Sequence, residues 1–140
     1  MIETRTEELK NAESDFLARE LTKILIEKKA LDIRLFENTA ENPITSFYLN
    51  ATGRSQTHVA SLADELVYMA ELRGRRAAHT EGGRGAGWIL VDFGDVIVNI
   101  FDAPSREFYN FDRLLSPEAM VDIAPLVDEV DKKMQSTAKE

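Results

Sequence analysis

Cysteine is absent from all 140 residues, which excludes a disulfide framework, a thiol nucleophile and a thiolate zinc site and is compatible with a reducing cytoplasm. Histidine is scarce. His58 and His79 stand apart from each other, and Ser61 and Asp64, downstream of His58 in one helical segment, do not complete a triad that spacing can reveal. Both histidines read as surface or packing residues. No apolar run approaches the ~20 residues that a membrane-spanning helix needs. The start, Met1 to Glu8, is acidic and lacks an apolar core, unlike a secretory signal or an Arg-rich, acid-poor transit peptide, so a cytoplasmic protein without membrane attachment is expected. Basic charge is also in short supply: Lys and Arg number 17 against 25 Asp and Glu, a formal net charge of −8. That balance argues against direct sequence-specific or broad electrostatic nucleic-acid binding and favours encounter with a basic protein surface. What remains, 44% hydrophobic and 30% charged over the length of one domain, is the composition of a folded globular chain.

The most regular pattern is Trp88 to Phe101, two β-rich apolar runs that meet at Phe93-Gly94 with an acid on either side. Branched residues suit a pleated surface and glycine supplies a positive φ, so the stretch reads as an antiparallel hairpin. With Phe93 and Gly94 as the loop, Asp92 faces Asp95, Val91 faces Val96 and Trp88 faces Asn99. One face then carries Ile89, Val91, Val96, Val98 and Ile100, and the other Trp88, Leu90, Asp92, Asp95, Ile97, Asn99 and Phe101. The first suits a core, and the second, apolar with a polar margin, suits a covering helix or a partner.

Around the hairpin, residues 1–12 are polar and expected to be flexible. From Ser14 to Lys29, Phe16, Leu17, Leu21, Ile24 and Leu25 form a helical stripe, with Ser14 as N-cap and Lys28-Lys29 at the negative end of the dipole. Leu31–Phe36 and Ser46–Ala51 read as strands separated by turn chemistry at Asn38–Pro43. Thr52-Gly53-Arg54-Ser55 leads into a helix capped by Ser55, striped by Val59, Leu62, Ala63, Leu66, Val67 and Ala70, and closed by Arg73-Gly74. Arg75–Glu81 is a further strand candidate, and Gly82–Gly87 a mobile connector. Pro104–Leu115 reads as a short helix or turn. After the boundary at Ser116-Pro117 the chain is mostly polar, with an apolar patch at Met120, Val121, Ile123, Leu126, Val127 and Val130. The division is a flexible N-terminus over 1–12, one domain over 13–115, and a tail over 116–140 that is partly helical or disordered. The order α-β-β-α-β-β-β-α predicts a single α/β (α+β) domain: a mixed, mostly five-stranded sheet with helices against it, one right-handed crossover and a hairpin toward the C-terminal side.

Few residues invite chemistry. Thr52-Gly53-Arg54-Ser55 at a helix start presents backbone N–H groups to an anion, yet it lacks the Gly-Lys-Ser/Thr of a phosphate loop, and ordinary N-capping accounts for it. The glycines from Gly82 to Gly87 precede a strand rather than joining a strand to a helix, the wrong context for a phosphate cradle. Asp92 and Asp95 are readable either as paired carboxylates for a metal or as turn residues bonding their own backbone. Neither a catalytic residue nor a resident metal or cofactor is expected. Trp88, Phe93, Tyr109 and Phe111 are core aromatics or interface anchors, and Phe93, at a hairpin tip, has little of its own domain to bury against.

Taken together, several ordered motifs resemble the ribosomal silencing factors, the Iojap family. They are Gly87-Trp88-Ile89-Leu90-Val91-Asp92-Phe93-Gly94-Asp95-Val96-Ile97-Val98, then Arg106-Glu107-Phe108-Tyr109 and Leu114. Upstream, Lys28-Lys29-Ala30, Asp32-Ile33, Ala51-Thr52-Gly53-Arg54-Ser55, His58-Val59 and Ala63-Asp64-Glu65 follow in the same order. The resemblance spans about Ala18 to Leu115, with Asn99 standing where members commonly carry His. It implies a nucleotidyltransferase-like topology without catalytic use, often a homodimer when free. It also implies a translation repressor that binds the large ribosomal subunit at the ribosomal protein L-fourteen, blocks joining of the small subunit and damps translation under nutrient limitation. By the same resemblance Trp88, Asp92, Phe93, Asp95 and Tyr109 belong to or border the partner-binding surface. The alternative reading is a nucleotide-binding or nucleotidyl-transferring enzyme built on Gly53, Ser55, Asp92 and Asp95.

Overall fold

Alternation and helical spacing translate into α1 (Ser14–Glu27), β1 (Leu31–Glu37), β2 (Phe47–Gly53), α2 (Gln56–Leu72), β3 (His79–Glu81), β4 (Trp88–Asp92), β5 (Val96–Asp102), α3 (Ala103–Tyr109), β6 (Met120–Val121) and α4 (Ala124–Ala138), with 3-10 turns at Phe111–Leu114 and Pro117–Ala119. The computed structural model describes residues 4–41 and 43–138. Asn42 of the expected turn, and residues 1–3 and 139–140 of the segments expected to be flexible or disordered, lie outside the described residues.

The strands form one six-stranded sheet in the order β3-β4-β5-β2-β1-β6. β2 and β5 run parallel and the other neighbours antiparallel, so the expected mixed α+β sheet is present with one strand more than predicted. α1 and α2 cover one face. There Leu35, Leu49, Ala51, Val91, Val98 and Ile100 meet Leu17, Leu21, Leu25, Val59, Leu62 and Leu66 in a continuous apolar core. Ser55 caps α2 as read, its hydroxyl accepting from the His58 N–H at 3.0 Å. α1 starts differently: Ser14 is its first helical residue and Glu13 takes the cap position without a side-chain hydrogen bond.

Three further expectations are corrected. The hairpin turns on Gly94-Asp95, not Phe93-Gly94. The Phe93 N–H donates to the Val96 carbonyl at 2.9 Å, and Gly94 takes φ +88°, which a primed turn with glycine at its first central position requires. Val91 therefore faces Val98 and Trp88 faces Phe101, two residues from the expected register. A shift of two preserves which side chains share a face, so Ile89, Val91, Val96, Val98 and Ile100 are buried as predicted. Phe93, however, becomes a strand-end residue pointing into that core and is only 2% exposed.

The N-terminal segment is tied down where it is described. Leu9 is fully buried, Thr6 and Leu9 donate backbone hydrogen bonds to Leu72 and Arg73, and Glu8 pairs with Arg73. The segment after Pro117, expected to be a partly helical or disordered tail, is helical over α4 and built into the fold rather than set apart from it. β6 pairs with β1 through Leu35↔Val121 and Phe36↔Met120, while α4 packs on α1 with Leu126 and Val130 buried.

Candidate protein-binding face

The face of the sheet away from α1 and α2 is only partly covered, and its composition follows from strand register. One row crosses all six strands as His79, Asp92, Ile97, Tyr48, Phe36 and Met120. The next runs Glu81, Leu90, Asn99, Asn50 and Arg34, and the third Trp88, Phe101 and Thr52. Ile97, Tyr48, Leu90 and Trp88 are half-buried.

α3 and the 3-10 turn after it cap the end of this face nearest Trp88. Asp102 caps α3, its carboxylate accepting from the Ser105 N–H at 2.8 Å. Gly87 lies in close approach to this cap: a Cβ there would fall 2.1 Å from the Ser105 hydroxyl oxygen, so a larger residue would have to displace that hydroxyl. The cap brings Tyr109 to 4.8 Å and Phe111 to 6.1 Å from the Trp88 ring, whose other neighbour, Phe101, lies at 5.0 Å. Tyr48 continues the cluster edge-on to Phe111 at 5.4 Å. Offset and edge-to-face rings at such separations attract beyond the area they bury. The cap also leaves Phe108 80%, Leu114 73% and Tyr109 53% exposed, with Met120 at 49% on the far edge of the same face.

Beneath the rings runs a chain of polar side chains. The Trp88 Nε1–H donates to Asn99 Oδ1 at 3.0 Å, Asn99 Nδ2 to Asn50 Oδ1 at 3.0 Å, and Asn50 Nδ2 to Asp112 Oδ1 at 2.7 Å. Arg106 closes the chain, donating from Nε to Asp112 Oδ2 at 2.9 Å and from Nη1 to the Thr52 hydroxyl at 2.9 Å and the Asp32 carbonyl at 2.6 Å. Asn50 and Asn99 are fully buried and Arg106 nearly so, and among the described residues no buried side-chain polar atom lacks a partner. Burial pushes the Asp112 carboxyl upward, but hydrogen bonds from Arg106 and Asn50 and the guanidinium charge outweigh it, and the net displacement is below 3.8.

The sequence-derived residues separate into three places. Trp88 and Tyr109 come together in the aromatic cluster. Asp92 and Asp95 sit at the opposite end of the hairpin: Asp92 Oδ1 accepts from the Gly94 N–H at 2.7 Å, and Asp95 lies 3.7 Å from Arg75. Asp92 is four residues along β4 from Trp88, roughly 13 Å at the rise of an extended strand. Phe93 is inside, so the exposed ring expected at the turn does not exist. The residues of the enzymatic alternative are apart as well. Gly53 pairs with Asp102 at one end of β2, whereas Phe47 at the other end bonds Asp95, roughly 20 Å away along the strand. Among the described residues no three His, Asp or Glu are grouped to hold a metal ion.

Sequence reasoning missed Asn50, Arg106 and Asp112 and left Asn99 without a role. A signal was present: Asn50 and Asn99 are amides interrupting apolar strand runs, where an unpartnered polar group is costly. Their pairing depends on β2 lying beside β5, which periodicity alone does not reveal.

The family model described as "Ribosomal silencing factor during starvation" matches residues 10–140. The chain is 30% identical to the ribosomal silencing factor RsfS of Halalkalibacterium halodurans over 101 residues, 72% of this chain and 86% of that protein. Against the Bacillus subtilis ribosomal silencing factor it is 30% identical over 97 residues, 69% of this chain and 82% of the relative. A crystal structure of a protein from Chromobacterium violaceum superposes with a TM-score of 0.71 at 25% identity, covering 81% of this chain and 97% of that one. Another, from Bacillus halodurans, gives 0.65 at 29% identity, covering 79% and 99%.

Proposed function

The chain belongs to the ribosomal silencing factor family, and from that membership we propose that it represses translation without catalysing a reaction. It binds the large ribosomal subunit at the ribosomal protein L-fourteen, prevents joining of the small subunit and thereby damps translation when nutrients are limiting. The observation that carries the reading is the half-open sheet face, where Trp88 and Tyr109 stack beside exposed Phe108 and Leu114. Large rigid rings on an uncovered apolar surface are what protein interfaces use as anchors. The formal charge of −8 suits a basic partner. Asp92 and Asp95 border this surface at its turn end, whereas Phe93 points into the core on the other side of the sheet. When free, the chain pairs as a homodimer, and it works in the cytoplasm; among the described residues no helix is long and apolar enough to cross a membrane.

Co-sedimentation with isolated large subunits, isolated small subunits and joined ribosomes tests this. Selective binding to large subunits, with joining inhibited when small subunits are added afterwards, is the expected result. Tyr109→Ala should weaken that binding by about tenfold or more, as removal of an interface anchor does. Equal binding to all particles, or none to any, would overturn the proposal.

A further inference from the structure

The hydrogen-bond chain under the aromatic cluster joins two structural parts. Trp88, Asn99, Asn50 and Thr52 belong to the sheet, whereas Arg106 is on α3 and Asp112 on the following 3-10 turn. An indole in an aromatic cluster has several ways to lie flat, because stacking is only weakly directional. A single N–H aimed at a fixed acceptor selects one of them. Asn99 is a suitable acceptor because its own rotation is fixed: its amide N–H₂ is committed to Asn50, whose amide is committed to Asp112. Asp112 in turn is held by two guanidinium nitrogens of Arg106, Nε at 2.9 Å and Nη2 at 3.4 Å. The direction of every bond is thereby set, since a carboxylate only accepts and a guanidinium only donates. The polarity propagates from Arg106 and Asp112 through both amides and leaves an oxygen, not an N–H₂ group, facing the indole.

We propose that Asn99, Asn50 and Asp112 are positioning residues for the binding face: the chain that starts at the Arg106–Asp112 pair orients the Trp88 ring and latches the α3 cap, so the aromatic surface is formed before a partner arrives. The part concerning affinity rests on the function proposed above, and the part concerning the ring does not. A preformed surface loses less side-chain freedom on binding, so loosening the chain should weaken the complex even though the amides touch no partner.

Trp88 is the one tryptophan of the sequence, so the indole band at the red edge of the near-ultraviolet circular dichroism and the acrylamide quenching of selectively excited indole fluorescence follow this ring. Asn99→Leu removes the acceptor. The expected result is loss of the folded-state indole dichroism band, higher quenching, and binding to large subunits weakened about tenfold, the scale of one lost buried hydrogen bond. Asn99→His should restore the band, because a neutral imidazole accepts on one nitrogen and donates from the other. Val98→Ala, on the opposite face of the same strand and fully buried, should lower stability while leaving the band as in the parent. If Asn99→Leu does not fold, Asp112→Asn, which loosens the latch at its half-buried end, takes its place with the same expected direction. An unchanged indole signal in the folded variants, or an equal change in Val98→Ala, would overturn the proposal. Absence of ribosome binding in the parent protein itself would instead count against the function, leaving the indole readout to judge the chain on its own.

Discussion

Phe93 and Phe108 are both aromatic, but the energetics of losing each ring differ in kind. Phe93 is 2% exposed and packed into the core that α1 and α2 cover, so Phe93→Ala leaves a cavity and should cost about 3–5 kcal/mol of stability. Urea unfolding measures that directly. The variant, once folded, should bind large subunits with near-parental affinity. Phe108 is 80% exposed and touches Tyr109 edge-on at 5.1 Å. Phe108→Ala should leave the unfolding free energy within about 0.5 kcal/mol, as exposed substitutions do, while weakening ribosome association. The opposite pattern in the two variants would remove the basis for placing the binding surface on the α3 cap. The amides at Asn50 and Asn99 belong to neither class: they are buried and polar, and their value lies in being fully satisfied.

At the scale of elements, the cap and the C-terminal segment make separate predictions. The Arg106–Asp112 pair joins the two halves of the cap, which bonds to the sheet through Asn50, Thr52 and Asp32, and the folded Asp112 carboxyl titrates below its ordinary 3.8. A group depressed in the folded state stabilises fully above its unfolded value and loses that contribution as pH falls through the folded value. Asp112→Asn should therefore be less stable than the parent by about 2 kcal/mol near neutrality, the range for a hydrogen bond to a charged group. The difference should shrink as pH drops below 3.8, measured by denaturant titration across pH. A constant difference would mean that the pair contributes through shape alone.

The C-terminal segment is predicted by its burial. Leu126 and Val130 are 6% and 3% exposed against α1, and β6 covers part of the β1 edge. A chain ending after Leu115 should lose about 1.5–3 kcal/mol for each of those two side chains, visible as a lower urea midpoint; an unchanged midpoint would make the segment a dispensable tail. Much of the fold was legible because α2, β1, β2 and the hairpin each carry a strong period and clear punctuation, down to the Ser55 cap. β6 was not legible, since two residues have no period, whereas a helical part of the tail was expected and only the extent of α4, Ala124–Ala138, was hidden by polar residues that leave a narrow apolar stripe. The hairpin register was two residues off because glycine fits either central position of the turn, whereas the faces survived because parity is indifferent to a shift of two. Of the candidate site, Trp88 and Tyr109 were readable as aromatic residues, and the structure brings the two rings together. The polar chain was not, because it depends on the parallel contact of β2 with β5, strands far apart in sequence.

For the molecule as a whole, charge and shape act at different stages of binding. The excess of acids over bases, −8 in all, generates a long-range field that speeds approach to a basic surface but is screened beyond about 8–10 Å at physiological salt. The aromatic cap and the half-buried Leu90, Ile97 and Tyr48 of the sheet face act only on contact, where water is already displaced and added salt has little access. Association with large subunits should therefore slow several-fold as salt rises from about 50 to about 300 mM, while the dissociation rate changes much less. Variants of the cap should show the reverse, with faster dissociation and a nearly unchanged association rate. Stopped-flow measurement with labelled protein separates the two rates. A dissociation rate that climbs with salt as steeply as association falls would mean that ion pairs, rather than the half-open aromatic face, hold the complex together, and the candidate surface would then have to be sought among the charged side chains of the α2 and α4 sides.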